Sequence, residues 1–179
     1  MMWKMIFGGV GGQGVITAAI LLGEAVVIHE NRWAVQTQSY GAQARGGLSR
    51  ADLTISDEET YFPKVLQAHV LVCLHQQAYS SYLNLIRPGG ILITEADHVE
   101  VGHNIDARFY SLPMARVVKD NLGSWRSANM AMLGSVVRIT GAAGEDSVRT
   151  AIAERFGADS ENVKAYDLGL DLVKKPAPV

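Results

Sequence analysis

Gly8-Gly9-Val10-Gly11-Gly12-Gln13-Gly14 puts five glycines into seven residues, between the apolar start Trp3-Lys4-Met5-Ile6-Phe7 and the apolar run Val15 to Leu22. The order reads as strand, glycine turn and buried helix, which commits the chain to an α/β architecture. Glycines leave backbone N–H groups uncovered, and the N-terminus of the following helix adds partial positive charge, so the turn suits a phosphate or carboxylate. The competing reading is structural: the glycines only let the first helix pack closely on the sheet.

Gly9-x-Gly11-x-x-Gly14 satisfies the dinucleotide fingerprint in form. A nicotinamide or flavin dinucleotide also needs an acid about 20 residues on, at the end of the second strand, to hold the ribose hydroxyls. The expected second strand, Trp33-Ala34-Val35-Gln36, runs instead into Thr37-Gln38-Ser39. With no carboxylate there, the pattern argues against NAD or FAD.

With 179 residues, 48% of them hydrophobic, the chain supports one well-packed domain. A net charge of −2 and scattered basic residues give nucleic acid no footprint. The longest apolar run, Val15 to Val27, is interrupted by Thr17, Gly23 and Glu24 and falls short of a bilayer span. No secretory signal precedes it, so a soluble cytoplasmic protein without membrane contact is expected. Cys73, the single cysteine, sits in the apolar strand-like run Val70 to Leu74 and reads as core. One thiol cannot hold an iron–sulfur cluster, and the five histidines form no metal-binding pair on a helix face. No nucleophile elbow is present, so no catalytic residue is assigned.

Periodicity predicts a helix from about Gly12 to Ile28, a loop from Thr37 to Gly47, and a half-covered strand from Leu48 to Ser56 that alternates as an antiparallel strand would. Val70 to Leu74, a helix over Ala78 to Ile86 and a strand over Ile91 to Thr94 make a βαβ unit, with Pro88-Gly89-Gly90 stopping the helix. A weak edge strand is expected at Ala107 to Tyr110, and helices at Ser127 to Val137, Ser147 to Phe156 and Ser160 to Leu172. Gly134 would let the first of these pack closely. The fold class is therefore a three-layer, Rossmann-like α/β domain with a mostly parallel, mixed sheet over residues 1–173, followed by a loose tail at 174–179.

The Thr37 to Arg50 segment combines two guanidinium groups, Arg45 and Arg50, with a bare Gly46-Gly47 backbone. In a parallel sheet it hangs near the same rim as the first glycine turn, where ligands of open sheets bind. Arginine there takes phosphate or carboxylate in bidentate fashion. Alternatively, these arginines pair with Asp52 or Glu58 in a solvated loop.

Gly8 to Thr17 (GGVGGQGVIT) together with Thr37 to Arg50 (TQSYGAQARGGLSR) closely resembles the gamma subunit of 2-oxoacid:ferredoxin (acceptor) oxidoreductases. The likeness continues through Tyr61-Phe62-Pro63-Lys64-Val65, the Val70–Leu74 strand, Arg87-Pro88-Gly89-Gly90 and Asn129 to Gly134. One departure is Ala42-Gln43, where the family loop usually has Pro-Glu. The resemblance implies oxidative decarboxylation of a 2-oxoacid with coenzyme A to an acyl-CoA and carbon dioxide, electrons passing to ferredoxin or a similar acceptor. It places thiamine diphosphate, magnesium and iron–sulfur clusters on alpha, beta and ferredoxin-like delta partner subunits, and leaves the isolated chain inactive and open to homodimerisation. This chain lacks a Gly-Asp-Gly…Asn diphosphate–metal motif, in keeping with that division. Among substrates 2-oxoglutarate is the first choice, with pyruvate, branched-chain 2-oxoacids and indolepyruvate as alternatives.

The resemblance also implies a coenzyme A or partner-subunit contact at Gly9, Gly11, Gly12, Gln13, Gly14, Thr37, Gln38, Ser39, Tyr40, Gly41, Arg45, Gly46, Gly47 and Arg50. The rival readings are a stand-alone nucleotide- or acyl-CoA-binding module and an NAD(P)-linked reductase.

Overall fold

The structure is a computed structural model that describes residues 1–40, 47–102 and 105–173. Its sheet is built outward from β1 (Met2–Val10), which pairs antiparallel with β3 (Leu48–Ser56) and parallel with β4 (Ala68–Cys73). Met5, Ile6 and Phe7 are fully buried, as a strand covered on both faces requires. With β2 (Trp33–Tyr40), β5 (Ile86–Glu95) and β6 (Ala107–Leu112), the six strands run in the order β2-β3-β1-β4-β5-β6. β3 opposes both of its neighbours, whereas β1, β4, β5 and β6 are parallel. The sheet is thus mixed and mostly parallel, and the alternation of Leu48 to Ser56 marks its one antiparallel insertion.

Successive strand side chains point to opposite faces and divide the core in two. Met5, Phe7, Leu53, Ile55, Val72 and Ile93 face the larger cluster, which includes residues of α1 (Val15–Glu24), α4 (Ala128–Thr140), α5 (Glu145–Phe156) and α6 (Glu161–Leu172). Ile6, Leu71, Cys73 and Leu92 face a smaller cluster with Val65 and α2 (Gln76–Tyr82). The chain leaves β1 for α1 on one face and β4 for α2 on the other. A crevice opens between their carboxyl ends, the place where ligands of open sheets settle.

α4 is buried without interruption from Met130 to Val137 and lies against α6. A methyl group on Gly134 would overlap the Tyr166 carbonyl, and one on Gly169 would overlap the Ala131 carbonyl, so the two backbones touch. Ser135 Oγ donates to the Gly169 carbonyl at 2.9 Å across this contact.

Several boundaries differ from the sequence reading. Thr37 to Tyr40 are not loop: they continue β2, because every residue from Trp33 to Tyr40 finds a partner on β3. Pro88-Gly89-Gly90 lies inside β5, whose pairing with β4 shifts register between Ala68 and Val70. The first helix starts at Val15, after Gly14 at φ 70°, and widens into a π-helical turn at Ala25–His29. α3 (Met114–Leu122) had no counterpart, since only Met114 and Val118 of it are buried and Arg116, Lys119, Asp120 and Asn121 interrupt its apolar residues. The expected tail at 174–179 lies outside the described residues.

Candidate functional site

The glycine turn is held by its own glutamine. Gln13 N–H donates to the Val10 carbonyl at 3.1 Å, and Gln13 Oε1 accepts the Val10 N–H at 2.9 Å. Its Nε2 donates to the Leu74 carbonyl at 3.1 Å, tying the turn to the end of β4. Gly12 and Gly14 occupy left-handed conformations, φ 92° and 70°, which bring the chain round into α1. Gly14 caps that helix without a side chain, and Asn129 Nδ2 on α4 donates to its carbonyl at 3.2 Å. A side chain at Gly14 would run into Asn129.

The two segments selected from sequence meet at one rim. Gly11 N–H donates to the Gly47 carbonyl at 2.9 Å, and Gly9 and Val10 pair with Ser49 and Leu48. Ser39 and Tyr40 reach the same rim opposite Arg50 and Ser49. Gly41, Arg45 and Gly46 lie outside the described residues.

Arg50 takes the pairing that the sequence left open as an alternative. It grips Asp52 in bidentate fashion at 2.5 and 2.8 Å, donates to the Val65 carbonyl at 2.8 Å, and lies over the Tyr82 ring, 5.3 Å from its centroid. Asp52 also accepts the Val65 N–H at 2.9 Å. Thr37 Oγ1 donates to the Pro63 carbonyl at 2.9 Å. These side chains hold the 57–67 segment down on the α2 face.

On the other face the crevice contains a cavity of about 660 Å³, within the usual size of small-molecule sites. Gly11, Gly12 and Gln13 line it; Thr37–Tyr40, Gly47 and Arg50 do not. Sequence reasoning missed its remaining polar wall: Glu95 at the end of β5 with Asp97 and His98 just beyond it, Arg116, Lys119 and Asp120 on α3, and Arg126 and Asn129 around the start of α4. Trp125, which also lines the cavity, is 59% exposed. Glu95 could have been found, since it ends the apolar run Ile91 to Thr94 at the carboxyl end of a parallel strand.

Glu95 is only 2% exposed, and its Oε2 accepts the N–H of Ala115 in the first turn of α3 at 2.9 Å. Burial pushes its pKa up, against the lowering pull of the Ala115 and Asp97 N–H groups. Arg116 is occupied by Asp97, at 2.6 and 3.1 Å. Lys119 and Arg126 enter no ion pair among the described residues. α1 and α4 both start at this cavity without a side-chain cap, the Ala128 and Met130 N–H groups of α4 turning back to the Trp125 and Ser127 carbonyls, and Lys119 and Arg126 stand on the wall with the carboxylates of Glu95 and Asp120. That arrangement suits an anionic ligand carrying an apolar part against Leu74 and Trp125.

Burial raises the Cys73 thiol to about 12, as a core cysteine requires. His69 Nδ1 accepts the Lys4 N–H at 2.9 Å, and burial, helped by Arg87 and Lys4, lowers its pKa. Among the described residues no group of three or more His, Cys, Asp or Glu is arranged to hold a metal. No described helix is long and apolar enough to cross a membrane.

Residues 4–172 match the family described as pyruvate ferredoxin/flavodoxin oxidoreductase. The chain is 38% identical over 171 residues to 2-oxoglutarate synthase subunit KorC of Methanocaldococcus jannaschii, covering 93% of this chain and 91% of that one. Its fold is similar, with a TM-score of 0.83 and 30% identity, to the keto/oxoacid ferredoxin oxidoreductase gamma subunit of Geobacter sulfurreducens, over 94% of this chain and 96% of that chain. A likeness of fold, TM-score 0.85 at 21% identity, extends to the 2-oxoglutarate:ferredoxin oxidoreductase of Magnetococcus marinus, solved with 2-oxoglutarate, coenzyme A and succinyl-CoA bound. There it covers 99% of this chain and 32% of that chain.

Proposed function

The chain belongs to the pyruvate ferredoxin/flavodoxin oxidoreductase family, and from that premise we propose that it is the gamma subunit of a 2-oxoglutarate:ferredoxin oxidoreductase. The complex converts a 2-oxoacid and coenzyme A to an acyl-CoA and carbon dioxide, and hands two electrons to an acceptor. Among the relatives, those named for 2-oxoglutarate reach 35–38% identity, against 25% for a pyruvate synthase subunit, which favours 2-oxoglutarate.

The residues of this chain do not fit the groups that carry the oxidation. Its one cysteine is buried and protonated, and a cluster takes four thiolates. Thiamine diphosphate, magnesium and the clusters therefore belong to alpha, beta and delta partners in this reading, and the complex works in the cytoplasm. What this chain supplies is binding.

The cavity between the glycine turn, α3 and α4 carries the proposal. Its size, the two uncapped helix starts, and Lys119 with Arg126 fit the phosphates of coenzyme A, while Leu74 and Trp125 offer apolar wall. Gly12 would present its backbone N–H, the Gly11 N–H being held by the Gly47 carbonyl, with Gln13 keeping the turn in shape. Arg45 reaches the same ligand or clamps a neighbouring subunit; Arg50, committed to Asp52, positions the segment beneath. In the assembled enzyme, Lys119→Ala/Arg126→Ala should raise KM for coenzyme A about tenfold or more and leave assembly intact. An unchanged KM would remove coenzyme A from this cavity. Arg45→Ala separates the two roles left to that residue: a higher KM marks ligand contact, loss of assembly marks a clamp.

A further inference from the structure

Tyr61-Phe62-Pro63-Lys64-Val65 is used by the fold only in part. Val65 is buried and bonded through Asp52 and Arg50, and the Pro63 carbonyl receives Thr37. Tyr61 and Phe62 are left 74% and 81% exposed, and Leu66 just beyond is 68% exposed. Glu59, beside the Tyr61 hydroxyl, pushes the phenol's pKa up.

These side chains belong to one side of the sheet. Asp52 and Thr37, register partners, both bond the 57–67 segment, so that segment crosses the α2 face. Met2 and Trp33 are both register partners of Ser56, which stands on the same face two pleats from Asp52, and both are exposed. The helices α1, α4, α5 and α6 cover the opposite face. On this one, among the described residues, an irregular strap crosses β2 and β3 beside α2.

We propose that this strap, with Tyr61, Phe62 and Leu66 at its centre and Met2 and Trp33 below, is the surface on which a non-identical subunit of the oxidoreductase docks. The proposal rests on the gamma-subunit reading and adds which face carries the contact. Two aromatic rings this exposed leave on the order of 300 Å² of apolar surface in water. With the other three side chains the patch reaches roughly 600 Å², the upper end for a lone monomer and most of the ~800 Å² that each side of a stable interface contributes.

Charge selects the occupant. Asp57 is engaged by Arg32 and the N-terminal ammonium, leaving Glu58 and Glu59 against Lys64 at the rim. A second copy would set one acidic rim against another. A partner with an apolar centre and a lysine- or arginine-bearing rim meets it with opposite charge.

The test co-produces the chain with the remaining subunits and compares Tyr61→Ser/Phe62→Ser/Leu66→Ser with Ile28→Ser, an exposed apolar position outside the strap. The triple variant should keep the Tm of the isolated chain and lose at least tenfold in co-purified complex, while Ile28→Ser assembles normally. Glu58→Lys/Glu59→Lys should weaken assembly at low salt, with the difference shrinking at high salt. Normal assembly of the triple variant overturns the proposal. So does an isolated wild-type dimer that the triple variant splits, because the occupant is then a second copy. Should the wild-type chain assemble with none of the subunits, the gamma-subunit reading itself falls, a result distinct from a strap that is merely misplaced.

Discussion

The N–H of Gly11 donates to the carbonyl of Gly47 at 2.9 Å, joining the end of β1 to the start of β3. Residues 36 positions apart in sequence thereby share one rim. On one side of that bond the glycine turn opens to the cavity; on the other, Arg50 and Asp52 turn to the opposite face. The rim thus works as two devices back to back, one for a ligand and one for holding the strap.

Gln13 is the brace of the ligand side. Replacing it with alanine strands the Leu74 carbonyl and the Val10 N–H, and a buried polar group left unpaired costs about 1–3 kcal/mol. Chemical denaturation of the isolated chain should show a loss in that range for Gln13→Ala. Gln13→Glu should recover only part of it, since a carboxylate still accepts from Val10 but cannot donate to Leu74. Equal stability of all three would mean that the turn holds its shape without the side chain.

On the strap side, Arg50→Ala leaves the Asp52 carboxylate, 4% exposed, without its cation. Breaking a buried pair from one side costs about 3–5 kcal/mol, so the variant should lose that much stability in urea. Arg50→Lys should rescue little, because an ammonium cannot make the bidentate grip and the contact to the Val65 carbonyl together. If Arg50→Ala instead keeps its stability and raises KM for coenzyme A, the arginine leaves Asp52 to serve the ligand.

Sequence reading reached the strands most readily where a strand is covered on both faces, as at Val70 to Leu74, or alternates, as at Leu48 to Ser56. It stopped β2 at Gln36 because Thr37, Gln38 and Ser39 are polar. They are polar as edge-strand residues are, and their strand state is decided by β3, a partner that local pattern does not reveal. α3 was missed for a related reason: Glu95, from a distant strand, receives its first-turn N–H, while the helix itself buries only Met114 and Val118. The glycine turn was legible because its residues are contiguous. The cavity's cationic wall was not, because Lys119 and Arg126 reach it only through the missed helix and the turn after it.

The α4–α6 contact makes a sharper claim than core burial in general. A methyl at Gly134 meets the Tyr166 carbonyl and one at Gly169 meets the Ala131 carbonyl, in both cases backbone with no rotamer to yield. Gly134→Ala and Gly169→Ala should each destabilise the chain by about 3 kcal/mol or more, although alanine is the better helix former by about 1 kcal/mol. Gly12→Ala, whose added carbon meets nothing, is the comparison: it carries only the strain of φ 92°, about 1–2 kcal/mol. Thermal melting of the three variants should rank them in that order, and a Gly134→Ala protein melting with the wild type would mean that the helices stand further apart.

Glu95 gives the fold a pH dependence of definite sign. Its pKa is raised in the folded chain, by burial above all, so the folded state binds the proton more tightly than the unfolded chain does. This group's contribution to stability is then full below the ordinary glutamate pKa of about 4.3 and declines as pH rises from there through the raised folded value. Above that value the ionised carboxylate persists at a constant cost. Glu95→Gln keeps an oxygen for the Ala115 N–H and removes the charge, so it should stabilise the chain at pH 7 and lose that advantage toward pH 4. Denaturation midpoints of wild type and variant across that range test it. A variant less stable than wild type at pH 7 would mean that the ionised carboxylate, set at the N-terminus of α3, gains more from the helix dipole than burial takes away.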